Sequence, residues 1–332
     1  QRWRAGVSRA AETMTIIAIV CAAIFPVIHL GRPWLMLWVL PLPNSRGPLW
    51  VNFSSPLTWD VFAILTYFVV SLLFWYLGLL PDFASLSHAA TGWRRRVFSW
   101  LSLGWNGSLR TWVLYERTCL LLAGLATALV ISVHSVVSFD FAASLVPGWH
   151  TTIFPPYFVV GAIFSGMAMV LALLVVMRRA MALQSYVTLQ QLDALCKIML
   201  ATSGLLGLAY LIETLTALYG NHGPDRFMLM LRMQGPLAAY YWAMIACNVL
   251  VPQLLWSGRV RRNLPLVFAI ALLALAGMWL ERFLIIVGSL LFGRRLDETQ
   301  KVGREMIAAP PAESAYAGIG VGTITILANG NY

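Results

Sequence analysis

"TIIAIVCAAIFPVIHLGRPW" (residues 15–34) decides how this chain is read. It is an apolar run that closes on an imidazole, His29, and a guanidinium, Arg32, three residues apart and therefore on one helical face. Similar runs recur along the chain. About seven reach or exceed the roughly 20 residues needed to cross about 30 Å of hydrocarbon. They cover residues 8–30, 57–80, 114–134, 152–177, 192–219, 236–256 and 264–291.

Composition agrees. Of 332 residues, 60% are hydrophobic and 11% are charged, and mean hydropathy is +0.76. A soluble domain has roughly 25% charged residues. Too little polar surface remains to coat a water-soluble core, so the lipid bilayer is the solvent. Backbone polar groups must pair internally in lipid, and long uninterrupted apolar runs do that as helices rather than barrel strands. The expected fold is all-α: a polytopic transmembrane helix bundle over residues 1–292. Residues 293–332 turn charged, then Gly/Ala-rich with "APPA" at 309–312, and read as an extramembrane, mostly irregular tail.

The net charge of +10 is a topology signal here, and no nucleic-acid partner is expected. Arg2 and Arg4, Arg94–Arg96, Arg178 and Arg179, and Arg259, Arg261 and Arg262 fall on one side of the alternating spans. The other side holds Arg32, Arg46, Arg226 and Arg232. Cytoplasmic connections carry the arginine excess, which puts the start of the first helix in the cytoplasm and "HLGRPW" outside. The connection around residues 134–158 is nearly uncharged but rich in aromatics and prolines. It is expected at the membrane interface or against a partner subunit. Cys21, Cys119, Cys196 and Cys247 lie in apolar runs without CxxC spacing and read as packing residues.

Ionisable groups inside spans cost at least about 2.5–3.5 kcal/mol each at a helix centre and mark candidate sites. His29 and Arg32 read either as an interfacial anchor or as a pair that binds a polar headgroup. Asp60 in "SSPLTWDVF" lies about one turn into the second span, with Pro56 suited to its first turn. It pairs with Arg32 or Arg46 for folding, or exchanges protons with His29 at the same membrane depth. Asp140, between Phe139 and Phe141, is expected after the third span, as a turn residue or a proton acceptor. Glu12, Glu116, Glu213 and Glu281 lie at several depths and suit either a proton path or structural ion pairs, Glu281 with Arg282 among them. His29 and His134 are the only histidines in or ending spans, too few for a haem within the bundle.

"HLGRPW", "SPLTWDVFA", "SVVSFDFAASLVPGWHTTIFPPYFVVGAIFSG", "CNVLVPQLLW" and "GMWLERFLIIVGSL" together resemble the NrfD-like, polysulfide-reductase-type membrane subunits, most of all the C-subunit branch found in bacterial alternative complex III. The likeness covers residues 2–290. It implies part of a bundle of up to ten helices that oxidises quinol, menaquinol or ubiquinol, near the periplasmic face of the bacterial inner membrane. It implies a periplasmic iron–sulfur subunit, c-type cytochrome subunits and a second NrfD-like membrane subunit as partners, with haem and iron–sulfur clusters in those partners rather than in this chain. His29, Asp60 and Asp140 match the quinol-site histidine and the two aspartates of the family, while Arg32, Trp34 and His134 are candidates to line the pocket. The relatives carry two helices ahead of the one matched by residues 8–30, and the chain departs from them after "IVGSL". Alone, such a subunit is not a complete oxidoreductase. A secondary transporter or a purely structural membrane anchor are the competing readings.

Overall fold

The computed structural model describes residues 5–29, 34, 56–144, 148–149, 151–220 and 223–290. The expected tail, Arg32 and Arg46 lie outside the described residues, as does the side chain of His29. Helices follow in the order α1 (Ala5–His29), α2 (Pro56–Ala89), α3 (Gly92–Leu101), α4 (Leu109–Ala142), α5 (Phe154–Ala180), α6 (Leu189–Tyr219), α7 (Gly223–Met233), α8 (Ala238–Ile245), α9 (Gly258–Arg262) and α10 (Leu264–Phe283). Among the described residues there is no strand. Six helical stretches are long and apolar enough to cross a membrane, and α1 contributes a shorter apolar segment, Ala10–Ala22. The chain is a multi-pass membrane protein built as a helix bundle.

Element ends follow local chemistry. Pro56 opens α2, where its missing N–H costs nothing. The α2 helix runs on to Ala89, nine residues past the expected end, and Gly92 (φ +64) then turns the chain into α3. Helix α4 continues through "SVVSFDFA" because that stretch holds no glycine or proline to stop it. Asp140 is therefore a helical residue of the last turn of α4, not the turn residue expected after a span ending at 134. Hydroxyls within the spans fold back on their own helix. Thr15, Thr66, Thr118, Thr127 and Thr214 each donate to the carbonyl four residues earlier, so no lone polar group faces hydrocarbon there.

The described chain forms two compact units: Gln1–Asp140 with Leu173–Gln191, and Phe141–Ala172 with Leu192–Tyr332. In the first unit, α3 is held against α2 by Phe98 stacked on Phe83 and by the Tyr76 hydroxyl donating to the Leu101 carbonyl at 2.6 Å. In the second unit the fully buried side chains include Phe154, Phe164, Leu206, Met228, Leu255 and Ile270. Part of the aromatic segment expected at an interface or against a partner packs into this core. Phe154, Tyr157 and Phe158 are buried, and the Trp149 indole donates to the Ile285 carbonyl at 2.6 Å. The reason is its amphipathic content: the rings pack, and the indole N–H finds a backbone acceptor.

Two π-helical turns interrupt this unit. Ala246–Leu250 follows α8 and leads into the 3-10 stretch Val251–Trp256, and Leu284–Gly288 follows α10. Pro252 brings no N–H to the Asn248 carbonyl four residues back, and Ser203 Oγ donates to that carbonyl instead at 2.7 Å. Helix α10 approaches the first π turn so closely that a Cβ on Gly277 would stand 2.2 Å from Asn248 Oδ1 and 2.7 Å from Cys247 Cβ. Without a hydrophobic drive between helices in lipid, close contact of this kind carries the packing. Gly277→Ala should therefore destabilise the protein by about 1–3 kcal/mol. Thermal unfolding of the detergent-solubilised protein should show a lower Tm, and an unchanged Tm would contradict this approach.

Candidate functional site

In the first unit, the opening turns of α2 and the last turn of α4 bring Asp60 and Asp140 together. Their carboxyl groups stand within hydrogen-bonding reach of each other. Oδ1 of each residue is also buried, with no hydrogen-bond partner among the described residues. The pair thus presents two unfilled oxygens. Thr58 and Ser138, both buried, flank it in sequence.

The other sequence candidates are placed more loosely. His29 ends α1. His134 lies on α4 with Nδ1 2.8 Å from the Val130 carbonyl, which makes that nitrogen the donor. Trp34 is exposed. Glu12 lies on α1 against α2, its Oε2 2.9 Å from where a Cβ on Gly78 would stand. Glu116 is on an exposed face of α4.

The second unit holds a larger polar cluster. Glu281 of α10 is completely buried (0% exposed). The Tyr210 hydroxyl of α6 donates to its Oε2, and the Tyr157 hydroxyl of α5 reaches the same carboxylate. Asn248 Nδ2 donates to the Tyr210 oxygen at 2.8 Å. Arg282 Nη2 stands 3.4 Å from Glu281 Oε1 while its guanidinium stacks on Phe158, 4.0 Å from the ring centroid. This is the mutual neutralisation expected for the Glu281–Arg282 pair. Sequence neighbours on a helix do not ordinarily face each other, and the Phe158 ring supplies the surface that turns Arg282 towards the carboxylate.

A second ion pair lies in the same unit. Arg232 of α7 donates through Nη1 to Glu213 Oε1 at 3.1 Å and through Nη2 to Ser289 Oγ at 3.1 Å. Arg232 is only 6% exposed, so it is a buried structural cation rather than the loop charge that arginine counting made it. Gly148 (φ +82) passes directly over this pair: a Cβ there would lie 3.2 Å from both Arg232 Nη2 and Ser289 Oγ. A cavity of about 200 Å³ opens beside it, lined by Thr151, Glu213, Asp225 and Arg232 on one hand and Met228 and Leu229 on the other. Tyr157, Tyr210, Arg232, Asn248 and Ser289 are the residues that sequence reasoning missed. Asn248 was findable, as an amide inside an apolar run four residues ahead of a proline. Among the described residues no group of three His, Cys, Asp or Glu is arranged to hold a metal.

A bundle of long apolar helices with a facing carboxyl pair and two buried ion pairs defines a polytopic membrane protein that keeps ionisable groups inside its spans. The sequence model of the polysulphide reductase NrfD family matches residues 4–293, and the chain belongs to that family. No curated protein matches it. Membership makes the chain a membrane subunit of quinol-linked redox complexes, in a family that interacts with quinones and typically pairs with iron–sulfur subunits.

Removing one partner of a buried ion pair strands the other charge, at about 3–5 kcal/mol. Arg232→Met should destabilise the protein by that amount, and adding Glu213→Gln should restore most of the loss. Unfolding of the two variants in mixed micelles measures both effects. Equal stability of Arg232→Met and wild type would leave this pair without a structural role.

Proposed function

We propose that the chain oxidises quinol, menaquinol or ubiquinol, as the NrfD-type subunit of a complex of the alternative complex III kind. The observation that carries this is the Asp60–Asp140 pair with its two unfilled buried acceptors. A quinol carries two hydroxyl donors, and two carboxyl oxygens without partners are what such donors bind. The substrate therefore fits the residues present.

His29 completes the reading. We read α1 and α2, consecutive helices that pack together, as antiparallel, with Glu12 of α1 against Gly78 of α2. Equal rise per residue then sets position 29 of α1 level with position 61 of α2, next to Asp60. An imidazole titrates near neutral pH and suits the first proton transfer. Quinol becoming quinone releases two electrons and two protons. His29 takes one proton from a hydroxyl, and the ionised member of the aspartate pair takes the other. Arg32, Trp34 and His134 remain candidates to line the headgroup pocket. The electrons leave to a periplasmic iron–sulfur subunit and then to c-type cytochromes, with a second NrfD-like subunit completing the assembly in the bacterial inner membrane. The arginine excess at the start of α1 supports a cytoplasmic N-terminal side for that helix.

The cluster of the second unit favours an added activity, proton translocation. Glu213, the two tyrosines and Glu281 supply titratable groups inside the bundle, and a cavity adjoins Glu213. In the first unit, Glu12 and Glu116 remain candidate proton-path groups at the other end of their helices from His29 and Asp140. A transporter or a purely structural anchor would not need the facing aspartates.

Positioned acids and bases contribute about 10²–10⁴-fold to a rate. His29→Ala, Asp60→Asn and Asp140→Asn should each lower quinol:acceptor turnover at least about tenfold in fully assembled complex. Wild-type turnover in all three would move the pocket elsewhere. Glu281→Gln keeps the shape of the second cluster but removes its proton exchange. It should lower the protons moved per electron in proteoliposomes while quinol oxidation continues; an unchanged ratio would dismiss translocation through this cluster.

A further inference from the structure

Helix α3 has no buried residue, yet it is not polar. At about 100° per residue, Trp93, Val97 and Trp100 fall within an arc of roughly 60°. All three are exposed, the two indoles at 71% and 77%. Arg94 and Arg96 flank this arc on either side, and the Arg94 guanidinium lies 5.8 Å from the Trp93 ring centroid. The opposite side of the helix carries Phe98, which is pinned to Phe83 of α2. The apolar stripe therefore points away from the protein and is held there. Leu103, in a left-handed conformation (φ 46) and 68% exposed, extends the stripe as the chain turns towards α4.

We propose that α3 is an interfacial helix that docks on anionic phospholipid, with the indole stripe in the acyl boundary and Arg94–Arg96 on the headgroup phosphates. Three observations select lipid over a protein partner. The helix joins two membrane-crossing stretches, Thr58–Ala89 and Leu109–Ala142, so it lies at a membrane surface. Between Asp82 and Glu116 the sequence holds Arg94, Arg95, Arg96 and Arg110 and no acidic residue, a charge that complements phosphate. Tryptophans beside arginines on one helix are the composition of a segment lying in the headgroup layer, where an indole keeps its ring apolar and its N–H wet. The proposal is independent of the quinol reading.

The test uses the full chain in nanodiscs, with phosphatidylcholine alone or with added phosphatidylglycerol. Each basic residue at an anionic surface is worth roughly fivefold in affinity. Native mass spectrometry of the released protein should show phosphatidylglycerol enriched at least about fivefold over its share of the disc. The triple variant Arg94→Gln, Arg95→Gln, Arg96→Gln should lose that enrichment. These side chains are exposed, so helical circular dichroism should not change. In wild type the enrichment should also fall with added salt, which tests the contact without mutation. Hydroxyl-radical oxidation of Trp93 and Trp100 should be slower in the anionic discs and should speed up in the triple variant. Equal enrichment in the variant, or protection of the two indoles only when partner subunits are present, overturns the proposal.

Discussion

The buried carboxylate of Glu281 sets the terms for the second unit. A charged group inside a span is costly unless it is hydrogen-bonded and paired. Tyr210, Tyr157 and Arg282 supply those contacts from α6, α5 and α10 itself. Tyr210 is in turn fixed by Asn248, and Asn248 is placed by a π turn, by Ser203 and by the missing side chain of Gly277. Remove the carboxylate and most of these choices lose their reason. The π turn is then a way of aiming one amide, consistent with the frequent association of such turns with functional positions.

The two units treat acidic groups in different ways. In the first, two carboxyls meet without a described cation. In the second, each of the two glutamates among the described residues stands beside an arginine. A carboxyl pair that shares a proton can change its protonation as a substrate arrives and leaves. An ion pair resists change until a neighbour intervenes. The first arrangement suits direct chemistry on a bound hydroxyl, and the second suits a relay that must not leak.

The fold was legible because hydropathy acts along one dimension, and a bilayer imposes one dimension on the chain. The runs at 152–177, 192–219 and 264–291 fall on α5, α6 and α10 with only end shifts. Asp60 and Asp140 were visible for the same reason, as carboxyls in the wrong solvent. Their facing geometry was not, because it depends on α4 running through residue 140. Tyr157 and Tyr210 were hidden among many aromatics, since nothing local separates a ring that packs from a hydroxyl that donates. Arg232 misled because a charge in a short connection reads as solvated until its partner on the preceding helix is known. The burial of Phe154, Tyr157 and Phe158 was not legible either: amphipathic rings suit a headgroup layer and a polar-lined core equally well.

The order in which the polar cluster lies along the chain has a consequence for biogenesis. Synthesis runs from N- to C-terminus, so Tyr157 and Tyr210 leave the ribosome before Asn248, and Glu281 leaves last. The span Ala238–Trp256, with a mean hydropathy of 1.3, is the least apolar of the six and carries Asn248. It enters the bilayer after α6 has already delivered the Ser203 and Tyr210 hydroxyls that its amide and carbonyl need. Glu281 follows into a recess whose donors are by then in place. Each costly group thus arrives to find its acceptor or donor waiting, and insertion of the late helices becomes a cooperative event templated by the early ones rather than a series of independent partitions.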